Sequence, residues 1–400
     1  MLPCYAALNM KLLQLNVTAN WGSTGKIAEG IGLAAIARDW ESYIAYGRYM
    51  NPSKSQLIKV GNKFDVYAHY ARARFFDQEG LGSKASTRKL IADIDKITPD
   101  IIHLHNIHDH WLNYPIFFNY LSTLSTPVVW TFHDCWAFTG GCPHFESIGC
   151  YQWRDNSCKD HCPLKHRQAA KNFAKRYNAF SKIGERLHIV AVSKWLASYI
   201  SESFFEGNNG LIEVINNGID LDGVFKQNNE NKENMILGVS NVWPEYKGLN
   251  DFIKLRSKLP DDIGITLVGL TKKQIESLPK GINGISRTTN ASELATLYRK
   301  AKVFVNTTYN DSFPTVNLEA LACGTPVITY RTGGSPEAID EKTGIVIEKG
   351  DLSSLAKGIM TIISASQGYN PDNCRKRAES CFDKNIQFNK YIDLYENLIK

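Results

Sequence analysis

The sequence predicts an α/β protein of two doubly wound, Rossmann-like halves, and three observations carry that reading. The chain has 400 residues, more than one hydrophobic core usually holds, so two domains of roughly 200 residues are expected. Short apolar runs alternate with helical patterns through the first half, and the alternation restarts at Met235-Ile236-Leu237-Gly238-Val239. Residues 303–337 read as strand, loop, helix, strand, the unit that places a ligand loop at the strand ends of an open parallel sheet. The boundaries expected from composition are 1–225, 226–382 and a terminal helix 383–400, with polar Lys226 to Asn234 as the linker.

Composition narrows the class. The chain is 43% apolar and 22% charged, as in a soluble globular protein. A net charge of +6 suits phosphates or an anionic membrane surface and does not indicate nucleic acid. No apolar run approaches the length of a membrane span, and the first ten residues are too short and too weakly charged for a signal peptide. Met10 stands directly before the first strand pattern, Lys11 to Val17, and is a candidate start. A cytoplasmic chain is expected, its nine cysteines thiols or metal ligands rather than disulfides.

The first half supplies several candidate groups. After strand one, Trp21-Gly22-Ser23-Thr24-Gly25-Lys26 opens a helix, and glycines there let backbone amides approach an anion. This is not a Walker loop, because Ile27 stands where a magnesium-binding hydroxyl belongs. Ser42 to Gly47 and Asp100 to His105 read as further strands. The histidines 103, 105 and 108 lack a carboxylate fixed by spacing, so core or cleft roles suit them better than a metal. Pro127 to His133 is another buried strand, and His133 at its end is placed either as a satisfied core histidine or to orient a substrate hydroxyl.

The next segment, 135–162, is rich in cysteine. Cys142, Cys150, Cys158 and Cys162 give four thiolates that could close around a structural zinc, although their spacing lacks tight Cys-x-x-Cys pairs. Reduced thiols in a packed loop are the other reading. Residues 163–183 read as a basic helix with Lys165, Arg167, Lys171, Lys175, Arg176 and Lys182 on one side. It is either a solvated face or a surface for anionic lipid headgroups.

In the second half, Lys247 falls where a loop meets a helix, positioned as a point charge for a diphosphate. The central stretch then reads Asp311-Ser312-Phe313-Pro314-Thr315, with Glu319 eight positions after Asp311, followed by Gly324-Thr325-Pro326-Val327 and Gly333-Gly334-Ser335-Pro336-Glu337. Gly324 is placed to stop the helix. The amides around Ser312 to Thr315 start that helix and are donors for phosphate or sugar oxygens. Glu319, two turns in, could accept from vicinal hydroxyls such as those of a ribose.

These motifs resemble the nucleotide-sugar signature of family 4 retaining glycosyltransferases, of bacterial polysaccharide-biosynthesis type. Asp311 stands for the usual first Glu and Asn241 for an Arg that accompanies the lysine. The resemblance implies a GT-B fold, two Rossmann-like domains facing a central cleft, with the C-terminal helix returning to the N-terminal acceptor domain. It implies transfer from a nucleotide-diphosphate sugar to a glycan or lipid-linked saccharide, with catalytic roles for His133, Asp311 and Glu319. Donor contacts would come from Gly25, Lys247, Arg287, Ser312, Phe313, Pro314, Thr315 and Glu319. No catalytic cofactor or metal is implied, and the chain would work in the cytoplasm, at the inner face of the membrane. Other GT-B chemistry, such as epimerisation or phosphorolysis, and an inactive sugar-nucleotide-binding protein are the alternatives.

Overall fold

A computed structural model describes residues 10–155, 158, 168–206, 212–228, 230–364 and 369–400. The chain divides into two compact units, Met1–Ile215 with Gln387–Lys400, and Asn216–Ile386. The break after Ile215 falls ten residues before the polar linker that composition suggests, so Asn216 to Phe225 belong with the second unit.

The first unit contains strands β1 (Lys11–Asn16), β2 (Glu41–Tyr46), β3 (Gln56–Lys59), β4 (Ile101–Leu104), β5 (Val128–Phe132), β6 (Leu187–Ala191) and β7 (Glu213–Val214). They form one parallel sheet in the order β3-β2-β1-β4-β5-β6-β7. The helices are α1 (Gly22–Ile36), α2 (Lys63–Phe76), α3 (Lys84–Ile97), α4 (Tyr114–Leu121), α5 (Ala169–Phe180) and α6 (Lys194–Ser201). Strands β4 and β5 are buried along their whole length, which explains their mostly apolar sequences in a sheet covered on both faces; their two polar residues, His103 and Thr131, bond each other at 2.8 Å.

In the second unit, β8 (Glu233–Val239), α7 (Leu249–Arg256), β9 (Gly264–Val268), α8 (Lys272–Glu276), β10 (Ile282–Ile285), α9 (Ala291–Lys300) and β11 (Ala301–Asn306) form the first half. Then come α10 (Thr315–Ala322), β12 (Val327–Tyr330), β13 (Gly344–Ile347), α11 (Leu352–Ser364) and α12 (Pro371–Phe382), and α13 (Lys384–Ile399) leaves the unit after Ile386. The parallel sheet runs β10-β9-β8-β11-β12-β13, the order of a doubly wound dinucleotide fold. Its core joins Ile236, Phe252, Leu267, Val303, Ile328 and Ile359. Gly324 has φ 72°, the left-handed conformation that ends α10 as its position predicts.

From Gln387 onward α13 is part of the first unit, as the resemblance implies for a returning terminal helix. Phe388, Tyr391, Ile392 and Tyr395 join the core of Leu12, Ile31, Ile101 and Val129. A methyl group on Gly30 of α1 would come within 2.1 Å of the Phe388 ring, so a glycine there is what lets the two helices meet. No helix among the described residues is long and apolar enough to cross a membrane.

The basic segment 163–183 is helical from Ala169 to Phe180 and then turns through a 3-10 stretch, where Gly184 has φ 61°. Lys165 and Arg167 lie outside the described residues. Arg176 does not belong to a solvated face, because its guanidinium is buried 4.3 Å over the Trp136 ring.

Candidate active site

In the second sheet the strand order reverses direction between β8 and β11, which opens a crevice where the loops after those strands diverge. Lys247 ends the β8 loop in a single 3-10 turn, Glu245–Lys247. Its ammonium donates to Asp311 Oδ2 of the β11 loop at 2.8 Å, and both side chains are about one quarter exposed, 23% and 24%. Two candidates 64 positions apart in sequence therefore meet at the switch point.

The two loops are tied together by more than this pair. Tyr309 N–H donates to Tyr246 O at 2.7 Å, and the Thr307 hydroxyl donates to the carbonyls of Lys247 and Gly248 at 3.2 and 3.1 Å. Tyr309 and Tyr330 both donate to the buried Asp251 carboxylate, at 2.7 and 2.8 Å, fixing the base of the β11 loop.

Next to this pair, α10 begins after Pro314 with no side-chain cap, which leaves its first amides for a ligand. The turn before it is held by buried contacts. Gly334 N–H donates to Ser312 O at 3.1 Å, and Asn217 Nδ2 donates to Phe313 O at 3.0 Å. Gly333, at φ 53°, lies so close that a Cβ would sit 1.8 Å from Asp311 O. The Gly-Gly of the motif thus braces the backbone of the acidic residue.

Glu319 lies on α10, and the buried Tyr298 hydroxyl of α9 donates to its Oε2 at 2.9 Å. Burial first, and then the neighbouring Glu319 charge, push the Tyr298 phenol well above its usual range, so it remains a proton donor. Arg287 is exposed beyond the end of β10, two strands from the switch point. Gly25 is buried in the first turn of α1, and its carbonyl accepts from Asn20 N–H at 3.1 Å.

The first unit has its own cluster at the C-terminal ends of β4 and β5, around a small cavity lined by His105, His108, Trp130, His133, Asp134 and Trp136. Here a chain of hydrogen bonds sets proton positions. Gln14 Nε2 donates to Ala28 O at 2.8 Å, which turns Gln14 Oε1 toward His105 Nε2, 3.1 Å away. The proton of neutral His105 is then on Nε2, and its Nδ1 accepts from His133 Nε2–H at 3.1 Å. His133 is left with Nδ1 as its acceptor. Burial lowers the His133 pKa to about 4, so the ring is neutral at physiological pH. His103 is a core histidine, bonded to Thr131 Oγ1 at 2.8 Å and Tyr395 OH at 2.6 Å.

His108 behaves differently. Burial opposes its charge, but the nearby Asp134 carboxylate, 2.9 Å from Nε2, and Asp109 together raise its pKa well above the usual value. Asp109, 3.6 Å from Nδ1, is itself held down to about 2: burial opposes ionisation, and the bond from His108 outweighs it. Asp109 and His110 both adopt positive φ, 71° and 68°, and His110 Nδ1 is buried without a hydrogen bond. Such strain is typical of functional loops. Ligand atoms of Glu79, His108 and Asp109 fall within 4.8 Å of one another; the His108–Asp109 ion pair accounts for two of the three, and Glu79 Oε2 accepts from Trp136 Nε1 at 3.0 Å. Carboxylates from the β4 and β5 loops, Asp109 and Asp134, thus pair with His108, and not with His103 or His105.

Cys142, Cys150 and Cys158 line one further small cavity with Thr139, Phe145 and Trp153. Cys162 lies outside the described residues.

Two doubly wound parallel units are the architecture of the GT-B glycosyltransferases. A model of glycosyl transferases group 1 matches residues 222–380, and one of glycosyltransferase family 4 matches residues 31–222. The chain belongs to glycosyltransferase family 4, and it is an enzyme of the glycosyl-transferring class. The Escherichia coli K12 protein WcaC, named as a colanic acid biosynthesis glycosyl transferase, is 21% identical over 97% of this chain and 100% of its own. CapM of Staphylococcus aureus, named for capsular polysaccharide biosynthesis, is 31% identical over 28% of this chain and 30% of its own. Sucrose-phosphate synthase from Thermosynechococcus elongatus superposes with a TM-score of 0.71 at 17% identity, covering 97% of this chain and 99% of that one. Anabaena Alr3699/HepE in complex with UDP gives 0.65 at 16% identity, covering 97% and 100%.

Proposed function

We propose that this chain transfers a sugar, with retention of anomeric configuration, from a nucleotide-diphosphate sugar to a glycan or lipid-linked saccharide in cell-surface polysaccharide biosynthesis. The observation that carries the reading is the Lys247–Asp311 pair at the switch point beside the uncapped start of α10. Lys247 and the α10 amides would meet the diphosphate, Glu319 the ribose and Asp311 the transferred sugar. The bond from the anomeric carbon to the phosphate oxygen breaks, the acceptor oxygen bonds to that carbon on the same face, and its proton passes to the leaving phosphate. His133, neutral and with Nδ1 open as an acceptor, suits a sugar hydroxyl rather than an anion. Names of the relatives support the pathway class, and the UDP bound by HepE supports the donor class.

Charge on the leaving group is met in this reading by Lys247 and helix amides, so activity should persist in excess EDTA. A structural zinc on Cys142, Cys150, Cys158 and Cys162 is a separate proposal: the first three line one cavity, but their sulfurs do not all lie within 4.8 Å of one another, so binding would have to draw them together. Metal analysis of protein purified without added zinc should return about one equivalent; well under one dismisses it. The test of the transferase reading is release of free nucleoside diphosphate from nucleotide sugars. Release that depends on a saccharide acceptor supports it. Donor binding without release, across a panel of acceptors, would instead identify an inactive binding protein.

A further inference from the structure

Helix α2 carries five of the fourteen large hydrophobic side chains exposed among the described residues: Phe64, Tyr67, Tyr70, Phe75 and Phe76. Phe64 is 85% exposed, Phe75 71% and Tyr67 70%, so these three rings stand largely in solvent, whereas Tyr70 meets the His110 ring edge-on at 5.4 Å. At 3.6 residues per turn, Phe64, Tyr67, Ala68, Ala71 and Phe75 share an arc of about 100°. Lys63 and Arg74 fall on one margin of that arc and Arg72 on the other. His69, the buried residue of the helix, points to the opposite side. The one acid, Asp65, is taken up by the capping box with Asn62 and by the Ser86 hydroxyl at 3.0 Å.

We propose that α2 lies in the surface of an anionic phospholipid bilayer, its aromatic arc in the acyl boundary and its cationic margins against lipid phosphates. An outward apolar stripe bordered by arginines matches a bilayer interface, where rings enter the boundary and guanidinium groups reach up to the headgroups. Charge argues against a second copy as the occupant. Two stripes packed face to face would bring Arg72 and Arg74 of both copies together, with Asp65 already engaged on each. The surface moves the membrane contact away from the basic helix expected at 163–183, part of which is buried through Arg176.

The inner side of α2 joins this surface to the first-unit cluster. His69 Nε2 accepts from the amides of Gly80 and Gly82 at 3.0 and 3.1 Å, and its ring meets His110 edge-on at 5.6 Å. The helix that would rest on the bilayer therefore braces the loop carrying His108, which suits an acceptor presented from the membrane. That last step rests on the transferase reading; the bilayer contact does not.

Co-sedimentation with vesicles decides the matter. The protein should bind vesicles of phosphatidylcholine with phosphatidylglycerol and leave those of phosphatidylcholine alone in the supernatant. The double variant Phe64→Ser/Phe75→Ser should lose binding, and Arg72→Gln/Arg74→Gln should weaken it by roughly tenfold or more. Lys171→Gln/Lys175→Gln on α5 should bind as the parent does. Absence of binding by the parent protein overturns the proposal, as does a loss confined to the α5 variant. A concentration-dependent dimer in sedimentation velocity that the Phe variants abolish, without vesicle binding, would assign the face to a second copy instead. A thermal melt of every variant checks folding, and nucleoside diphosphate binding reports separately on the donor site.

Discussion

Lys247 and Asp311 neutralise each other at 2.8 Å, so the site holds a cation without leaving it bare before the donor arrives. Lys247→Ala should weaken nucleoside diphosphate binding by roughly ten- to a hundredfold, the scale of a lost charged hydrogen bond, as titration calorimetry would show; unchanged affinity removes Lys247 from the site. Tyr298→Phe is a finer probe. It keeps the buried ring and deletes the donor to Glu319, so affinity should fall by about tenfold with the fold intact. Glu319→Ala should cost more, because it removes the carboxylate itself. In the first unit, 15N spectra of His133 should show the proton on Nε2 and a bare Nδ1, as the bonds from Gln14 through His105 require. His105→Phe should leave the sheet in place and release that preference; an unchanged tautomer would show that something else sets it.

Among the elements, the β11–α10–β12 unit was the most legible, because its strand, turn, acid, helix stop and glycines follow one another within a short stretch of sequence. The structure adds the reason for one of them. Gly333→Ala forces a Cβ against Asp311 O in a left-handed backbone, so it should lower the melting temperature and donor affinity together. What stayed hidden was built from partners far apart: Tyr298 on Glu319, His108 on Asp134 and Gln14 on His105 join residues 21, 26 and 91 positions apart. No spacing rule reaches those distances. The nature of α2 was hidden for another reason: its aromatic residues face outward, so its apolar pattern does not mark a core-facing side. The basic helix at 163–183 keeps Lys171, Lys175 and Lys182 exposed, as a solvated face requires, but charge count says nothing about which guanidinium stacks on a tryptophan, as Arg176 does.

Across the whole molecule, buried histidines make the first unit sensitive to acid. His69 and His133 are each held, mainly by burial, to about 4, against roughly 6.5 for an unfolded chain. Between those values the unfolded chain binds the extra protons, so this stabilisation is full above about pH 6.5 and is lost as pH falls towards 4. His108 has the opposite sign: its raised pKa contributes stability that disappears as pH rises through it. Thermal melts at stepped pH should show the acid loss, and a curve flat from pH 7 to 4 would contradict these burials. The central claim concerns the second unit, where the switch point is read as a metal-independent seat for a nucleoside diphosphate. Thermal shift with a panel of nucleoside diphosphates in excess EDTA tests it most directly. At least one should raise the melting temperature of the parent protein, and the rise should vanish in both Lys247→Ala and Glu319→Ala. No shift with any nucleotide, or a shift that both variants retain in full, would contradict the account.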